Sequence, residues 1–228
     1  MKVAVLLSGC GVYDGSEIHE SVFSMLALAQ NKLEYICIAP DIKHHHIINH
    51  TNGEELNEAR NVVVESARIS RGEIISVSKV NLNEISSLVI PGGFGAAKNL
   101  SNWAFSGADS EILTEVKNLI FHCVENKKPI VSLCISPVII AKSLEGTNYR
   151  PKLTVGSVSE KSEYDIKEIN DALSSLGSET EEKSLEEISI DNHLKIISAP
   201  CYMLDGKIDE IYNNTKMAID KLSEMLSS

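Results

Sequence analysis

Positive charge is scarce in this chain of 228 residues: 21 Lys and Arg stand against 32 Asp and Glu, a formal net charge of −11. Binding to a phosphate backbone needs cations that displace condensed counterions, so no nucleic-acid partner is expected. Long apolar runs are missing as well. Residues 3–7 form a run far too short to cross a bilayer, and no membrane partner is expected. Gly9 and Gly11 interrupt the same stretch too early for a signal peptide. The five cysteines lie scattered at positions 10, 37, 123, 134 and 201 without a CxxC pair. That excludes a disulfide framework and a structural zinc site, fits a reducing compartment and sets the expectation of a cytoplasmic protein. Gly9-x-Gly11 lacks the third glycine of a dinucleotide fingerprint, and no P-loop pattern occurs, so no cofactor is expected. Neither an internal repeat nor a Pro/Ser-rich linker is present. A single domain spanning 1–228 is therefore expected.

What remains is ordinary globular composition, 43% hydrophobic and 23% charged. The acidity is uneven: residues 160–191 carry eleven acids against three lysines. This segment is expected to be a solvated helix and loop away from any site. Expected strands cover residues 3–7, 33–39, 85–90, 130–133 and 153–155, with two short ones near Ile188 and Ile196. Helices are expected over 16–30, 56–69, 110–125, from Pro137, over 166–176 and from Asp209. The first helix places Ile18, Val22, Met25, Leu26 and Ala29 on one stripe. Strands apolar throughout and alternating with helices predict an α/β fold, a three-layer α/β/α sandwich around a mostly parallel sheet. His44, His45, His46 and His50 fall in a loop without acid or cysteine at ligand spacing, so they are expected at the surface and no metal is expected.

In a parallel sheet, ligands collect at the carboxyl ends of the strands. Three expected strand ends are unusual: Ser8-Gly9-Cys10-Gly11, Pro91-Gly92-Gly93-Phe94-Gly95 and Leu133-Cys134-Ile135-Ser136-Pro137. A cysteine on a sharp strand-to-helix turn projects its sulfur over the sheet edge, and the helix N-terminus beneath it favours the thiolate. On that reading Cys134 is a nucleophile whose pKa is lowered, and the Ile135 amide with the Gly92-Gly93 backbone forms an oxyanion site. The plain alternative is that Cys134 is a small buried hydrophobe. Cys10, on its glycine-rich turn, is a rival thiol expected on the pocket rim.

These residues carry a resemblance. Residues 7–20 (LSGCGVYDGSEIHE), 68–74 (RISRGEI), 91–101 (PGGFGAAKNLS), 134–137 (CISP) and 199–204 (APCYML) resemble the enhancing-lycopene-biosynthesis (ElbB) or sigma cross-reacting family. That family is a branch of the PfpI and parkinsonism-deglycase superfamily, and the resemblance covers nearly the whole chain. It implies a flavodoxin-like, class I glutamine amidotransferase-like fold, a homodimer and a link to isoprenoid biosynthesis. It also implies a reactive cysteine at Cys134 and a protonated glutamate touching it, assigned to Glu17. Read alone, Glu17 is an ordinary first-turn acid complementing a helix dipole. Gly93 and Ile135 are the expected oxyanion residues, and Gly92, His19, Cys10 and Asn99 the expected pocket. Ile135 stands where PfpI-type proteases have a histidine, and Ala199-Pro200-Cys201 replaces the late histidine of amidotransferases. Protease and glutaminase chemistry are thereby weakened. The resemblance implies a cofactor-independent glyoxalase, a lyase converting small reactive carbonyls such as glyoxal or methylglyoxal to 2-hydroxy acids. A non-catalytic redox-sensing or binding protein, and a partner-dependent amidotransferase-like subunit, are the alternatives.

Overall fold

The computed structural model describes residues 1–227. In chain order the elements are β1 (Lys2–Leu6), α1 (Ile18–Gln30), β2 (Tyr35–Ala39), α2 (Val62–Ile69), β3 (Ile74–Ser76), β4 (Ile85–Ile90), α3 (Trp103–Ser106), α4 (Thr114–Glu125) and β5 (Ile130–Leu133). They continue with α5 (Pro137–Leu144), β6 (Lys152–Leu153), α6 (Ile166–Ser175), β7 (Glu179–Thr180), β8 (Ser189–Asp191), β9 (Ile196–Ala199) and α7 (Ile208–Ser227). Seven strands form one sheet in the order β3-β2-β1-β4-β5-β9-β8. All neighbours run parallel except β8, which pairs antiparallel with β9. β6 and β7 form a separate parallel pair.

Val3, Ala4, Val5 and Leu6 are all essentially inaccessible to solvent, as they must be when helices cover both faces of a parallel sheet. α1 and α7 pack together, as do α4 and α5, giving the three-layer α/β/α sandwich. From β1 the chain winds toward β3, and from β4 it winds the opposite way toward β9. The switch between β1 and β4 leaves a crevice at the carboxyl ends of the central strands.

Three sequence expectations change. α2 starts at Val62 rather than near Leu56, because the Asn61 side chain accepts the Val64 amide and isolated bridges hold residues 43–61 as a loop. α4 starts at Thr114, since the preceding residues bridge Ser101 to Ile112. In α1 the expected apolar stripe faces outward: Ile18, Val22 and Leu26 are each more than 40% exposed. The buried side of that helix consists of Glu20, Ser21, Ser24, Ala27 and Leu28.

Candidate active site

Cys134 ends β5 with φ +57°, a left-handed conformation that costs a non-glycine residue of order 1 kcal/mol or more. The turn is held on every side. The Cys134 amide donates to Ala199 O at 2.9 Å, anchoring it to β9. The Ser136 hydroxyl donates to Ile90 O at 2.8 Å and accepts the Leu133 amide at 2.9 Å, tying the elbow to β4. Pro137 opens α5 immediately afterwards. The sulfur therefore sits on overdetermined backbone.

Two backbone segments, at Gly93 and Ile135, lie beside it. The amides of Gly93 and Ile135 are close enough to favour the thiolate form of that sulfur. Gly93 has φ +92°, which directs its N–H into the site. A Cβ on Gly92 would lie 2.4 Å from Cys134 Cβ and 2.8 Å from Glu20 Oε2, so only glycine lets β4 approach the elbow so closely.

The carboxyl touching the thiol belongs to Glu20, not to Glu17. Glu20 is completely buried, and its Oε2 and the Cys134 sulfur both lie 2.8 Å from where a Cβ on Gly92 would stand. Its carboxyl accepts the Gly92 amide at 2.8 Å and the Tyr202 amide at 3.3 Å, joining the β4 and β9 ends. Burial, with the neighbouring Glu17 charge adding to it, pushes the Glu20 carboxyl up to about 8. Glu17 instead caps α1, its Oε2 accepting the Glu20 amide at 2.7 Å. Burial raises its pKa too, against opposing backbone hydrogen bonds. The resemblance put this role at Glu17; with Ile18 and Val22 outside, Glu20, three positions later, is the one that points into the fold.

Burial also reverses the expected effect on the nucleophile. It pushes the Cys134 thiol well above its ordinary value, Glu20 and Cys201 add to this, and the two amides oppose it. The helix terminus does not win. Glu20 and Cys134 form a buried acid–thiol pair that holds its protons near neutral pH.

The other expected pocket residues scatter. His19 stays at the surface, its Nδ1 2.8 Å from Tyr202 Oη and 4.0 Å from Glu17 Oε1. Asn99 is a buried clamp whose Nδ2 donates to Ser8 O and Asp14 O, both at 2.8 Å. Cys10 lies beside Glu65, Arg68 and Asp14, not on the cavity, and burial raises its pKa. His44 is not at the surface: it is 3% exposed, packed on Gly9, and burial lowers its pKa. Among the described residues no three His, Cys, Asp or Glu side chains are grouped to hold a metal.

Cys134 opens onto a cavity of about 390 Å³ walled by Phe94, Trp103, Phe105, Ile135, Tyr164 and Tyr202. The sequence reading missed these aromatic walls and Glu20. Tyr202 and Glu20 lie inside the family-like stretches, and small residues Ser24 and Ala27 on the Glu20 face signal a close helix approach. Asp165 and Glu168 also line the cavity, so the acidic segment does reach the site, contrary to expectation.

No family model matches the chain. It is 36% identical to the mitochondrial ES1 protein homolog of Rattus norvegicus over 226 residues, 98% of this chain and 84% of that protein. It is 35% identical to the mitochondrial glutamine amidotransferase-like class 1 domain-containing protein 3 of Homo sapiens, over 98% of this chain and 83% of that one. The chain belongs to the ES1 family of glutamine amidotransferase-like proteins. An isoprenoid biosynthesis protein with amidotransferase-like domain from Ehrlichia chaffeensis superposes with TM-score 0.88 at 32% identity, over 98% of this chain and 99% of that chain. DJ-1beta of Drosophila melanogaster shares the fold at TM-score 0.57 and 13% identity, over 99% of this chain and 94% of that one. The resemblance read from the motifs is thus shown, and the PfpI superfamily fold with it. The cytoplasmic expectation is overturned: the Rattus, Homo sapiens and Danio rerio family members are all named mitochondrial. Scattered free cysteines separate reducing from oxidising surroundings, and they do not separate the cytosol from the mitochondrial matrix.

Proposed function

We propose that this ES1-family protein converts small 2-oxoaldehydes to 2-hydroxy acids through Cys134, without a cofactor. The observation that supports this most is the Cys134 sulfur, held on strained backbone between a raised carboxyl and two amides at the floor of a cavity. In this reading the sulfur attacks the aldehyde carbon, and the thiol proton ends on the former carbonyl oxygen, giving a hemithioacetal. The amides of Gly93 and Ile135 hold the developing oxyanion. In its ionised form Glu20 takes the proton from that carbon and returns it to the adjacent one, while the hemithioacetal hydroxyl proton passes to the neighbouring carbonyl oxygen, leaving a thioester beside a new hydroxyl. Water then breaks the carbon–sulfur bond, releasing the 2-hydroxy acid and restoring the thiol. One carbon is oxidised and its neighbour reduced, so no outside oxidant is needed. Among the described residues no histidine lines the cavity, which supports this chemistry over amide hydrolysis. Cys134→Ala should abolish conversion of glyoxal and methylglyoxal, followed by 2-hydroxy acid formation. Turnover at the wild-type rate would sink the mechanism.

We also propose that two copies pair through α1. The outward Ile18, Val22 and Leu26 stripe supports this, because apolar residues spaced four apart on a helix face form a contiguous patch.

A further inference from the structure

The cavity above Cys134 has a chemical character of its own. Five of the chain's eleven aromatic residues line it. Phe94 and Tyr164 meet edge to face with ring centroids 6.2 Å apart. Trp103, the chain's only tryptophan, is 8% exposed, whereas Phe105 is half exposed and rests against His45 and His46. An apolar cavity of about 150 Å³ already holds a benzene ring, and this one measures about 390 Å³. Glyoxal or methylglyoxal would leave most of it unfilled.

Its electrostatics are equally one-sided. None of the lining residues is Lys, Arg or His. Burial raises the phenols of Tyr164 and Tyr202 to about 12, so both stay neutral. Asp165 and Glu168 are exposed at the mouth. Lys167 pairs with Asp171 at 2.6 Å and Lys161 with Asp205; Lys98 keeps its charge behind the wall, its Nζ 5.1 Å from the Phe94 ring centroid and donating to Tyr13 O at 2.9 Å. A carboxylate or phosphate on the far end of a substrate would pass two negative charges and meet aromatic wall with no cationic side chain on its inner face, while the amides of Gly93 and Ile135 serve the reacting end.

We infer that the site selects uncharged 2-oxoaldehydes bearing an aromatic or branched apolar group about the size of a benzene ring, and rejects anionic ones. The inference rests on the oxoaldehyde reading above for the reacting end of the molecule, while the wall chemistry concerns the other end. The apolar group would lie against Trp103 and Phe105, leaving the aldehyde over Cys134.

Two measurements keep the two ideas separable. Binding is read without chemistry, using acetophenone and 4-acetylbenzoate, a matched neutral and anionic pair, with the single Trp103 indole N–H resonance as reporter. Acetophenone should shift that resonance and bind at least about tenfold more tightly than 4-acetylbenzoate. Phe105→Ala should weaken acetophenone, and Asp165→Asn with Glu168→Gln should recover binding of 4-acetylbenzoate. Asn preserves the cap that Asp165 gives α6. Turnover is then compared for phenylglyoxal and methylglyoxal, with kcat/KM expected to favour phenylglyoxal about tenfold or more. Methylglyoxal turnover with no preference for phenylglyoxal, or equal binding of the two acetyl compounds, overturns the inference and leaves the oxoaldehyde reading standing. Selective binding of acetophenone without turnover of either aldehyde overturns that reading and supports the selectivity of the cavity.

Discussion

The two sides of α1 are built from opposite materials, in the reverse of the usual arrangement. Toward solvent it shows Ile18, Val22 and Leu26; its buried side is Glu20, Ser21, Ser24 and Ala27, with Leu28 the one large apolar residue there. A surface helix normally buries its apolar stripe. Here small buried residues let the helix lie close to α7, and Glu20 on the same side reaches past the end of β4 to the Gly92 amide beside Cys134. The same contrast separates two glutamates one turn apart. Glu17 faces its own helix terminus and caps it; Glu20 faces the elbow and shares protons with the thiol.

The contrast breaks most sharply at Glu20. Glu20→Gln keeps the shape and removes the base, so kcat should fall by about 10²–10⁴-fold. Wild-type activity should rise with pH through about 8 as the acid–thiol pair loses a proton, and the variant should lose that step. Stability provides a second readout. A buried acid whose pKa is raised stabilises the fold fully below the ordinary carboxylate value, and that contribution fades as pH rises toward about 8. Wild-type Tm should therefore fall over this interval more than the Tm of Glu20→Gln. Parallel melting curves for the two proteins would remove Glu20 from its buried role.

Gly92→Ala tests the close approach itself. The added methyl would meet Cys134 and Glu20, and should cost about 1–3 kcal/mol in stability while displacing the sulfur. Wild-type stability and turnover together would show that β4 and the elbow have slack. Glu17→Ala should cost about 1 kcal/mol through the lost cap, with catalysis changed far less than in Glu20→Gln. A loss of kcat as deep as that of Glu20→Gln would return the acid–base role to Glu17. On the outer side, Val22→Glu with Leu26→Lys should change thermal stability of the isolated chain by about 0.5 kcal/mol or less. Light scattering should show the wild type at twice the mass of this variant; equal masses would end the α1 pairing proposal.

Much of this architecture was legible in order of residues alone. Apolar runs such as residues 85–90 and 130–133 ending in glycine or cysteine turns located β4, β5 and the strand-end crevice, because strands buried on both faces leave an unbroken hydrophobic record. The elbow at Cys134 was legible as a turn because Pro137 and the end of an apolar run mark a sharp strand-to-helix junction. Glu20 was not. The resemblance pointed to Glu17, and periodicity could not correct it, since it reports which residues share a helix face but not which way that face points. Asn99 and Cys10 were drawn toward the pocket by their place in motif-rich loops, where Asn99 in fact binds the loops to each other. The aromatic walls were invisible because Phe94, Trp103, Tyr164 and Tyr202 come from four separate segments.

By itself, then, the sequence determined the alternation of strands and helices, the parallel sheet and the cysteine at the elbow, all of which follow from local patterning and turn chemistry. Tertiary structure alone decided which glutamate meets that cysteine, that burial raises the thiol rather than a helix end lowering it, and that the acidic segment stands at the mouth of an aromatic cavity. Those outcomes depend on how deeply groups from distant segments are desolvated together, and desolvation is a property of the packed fold.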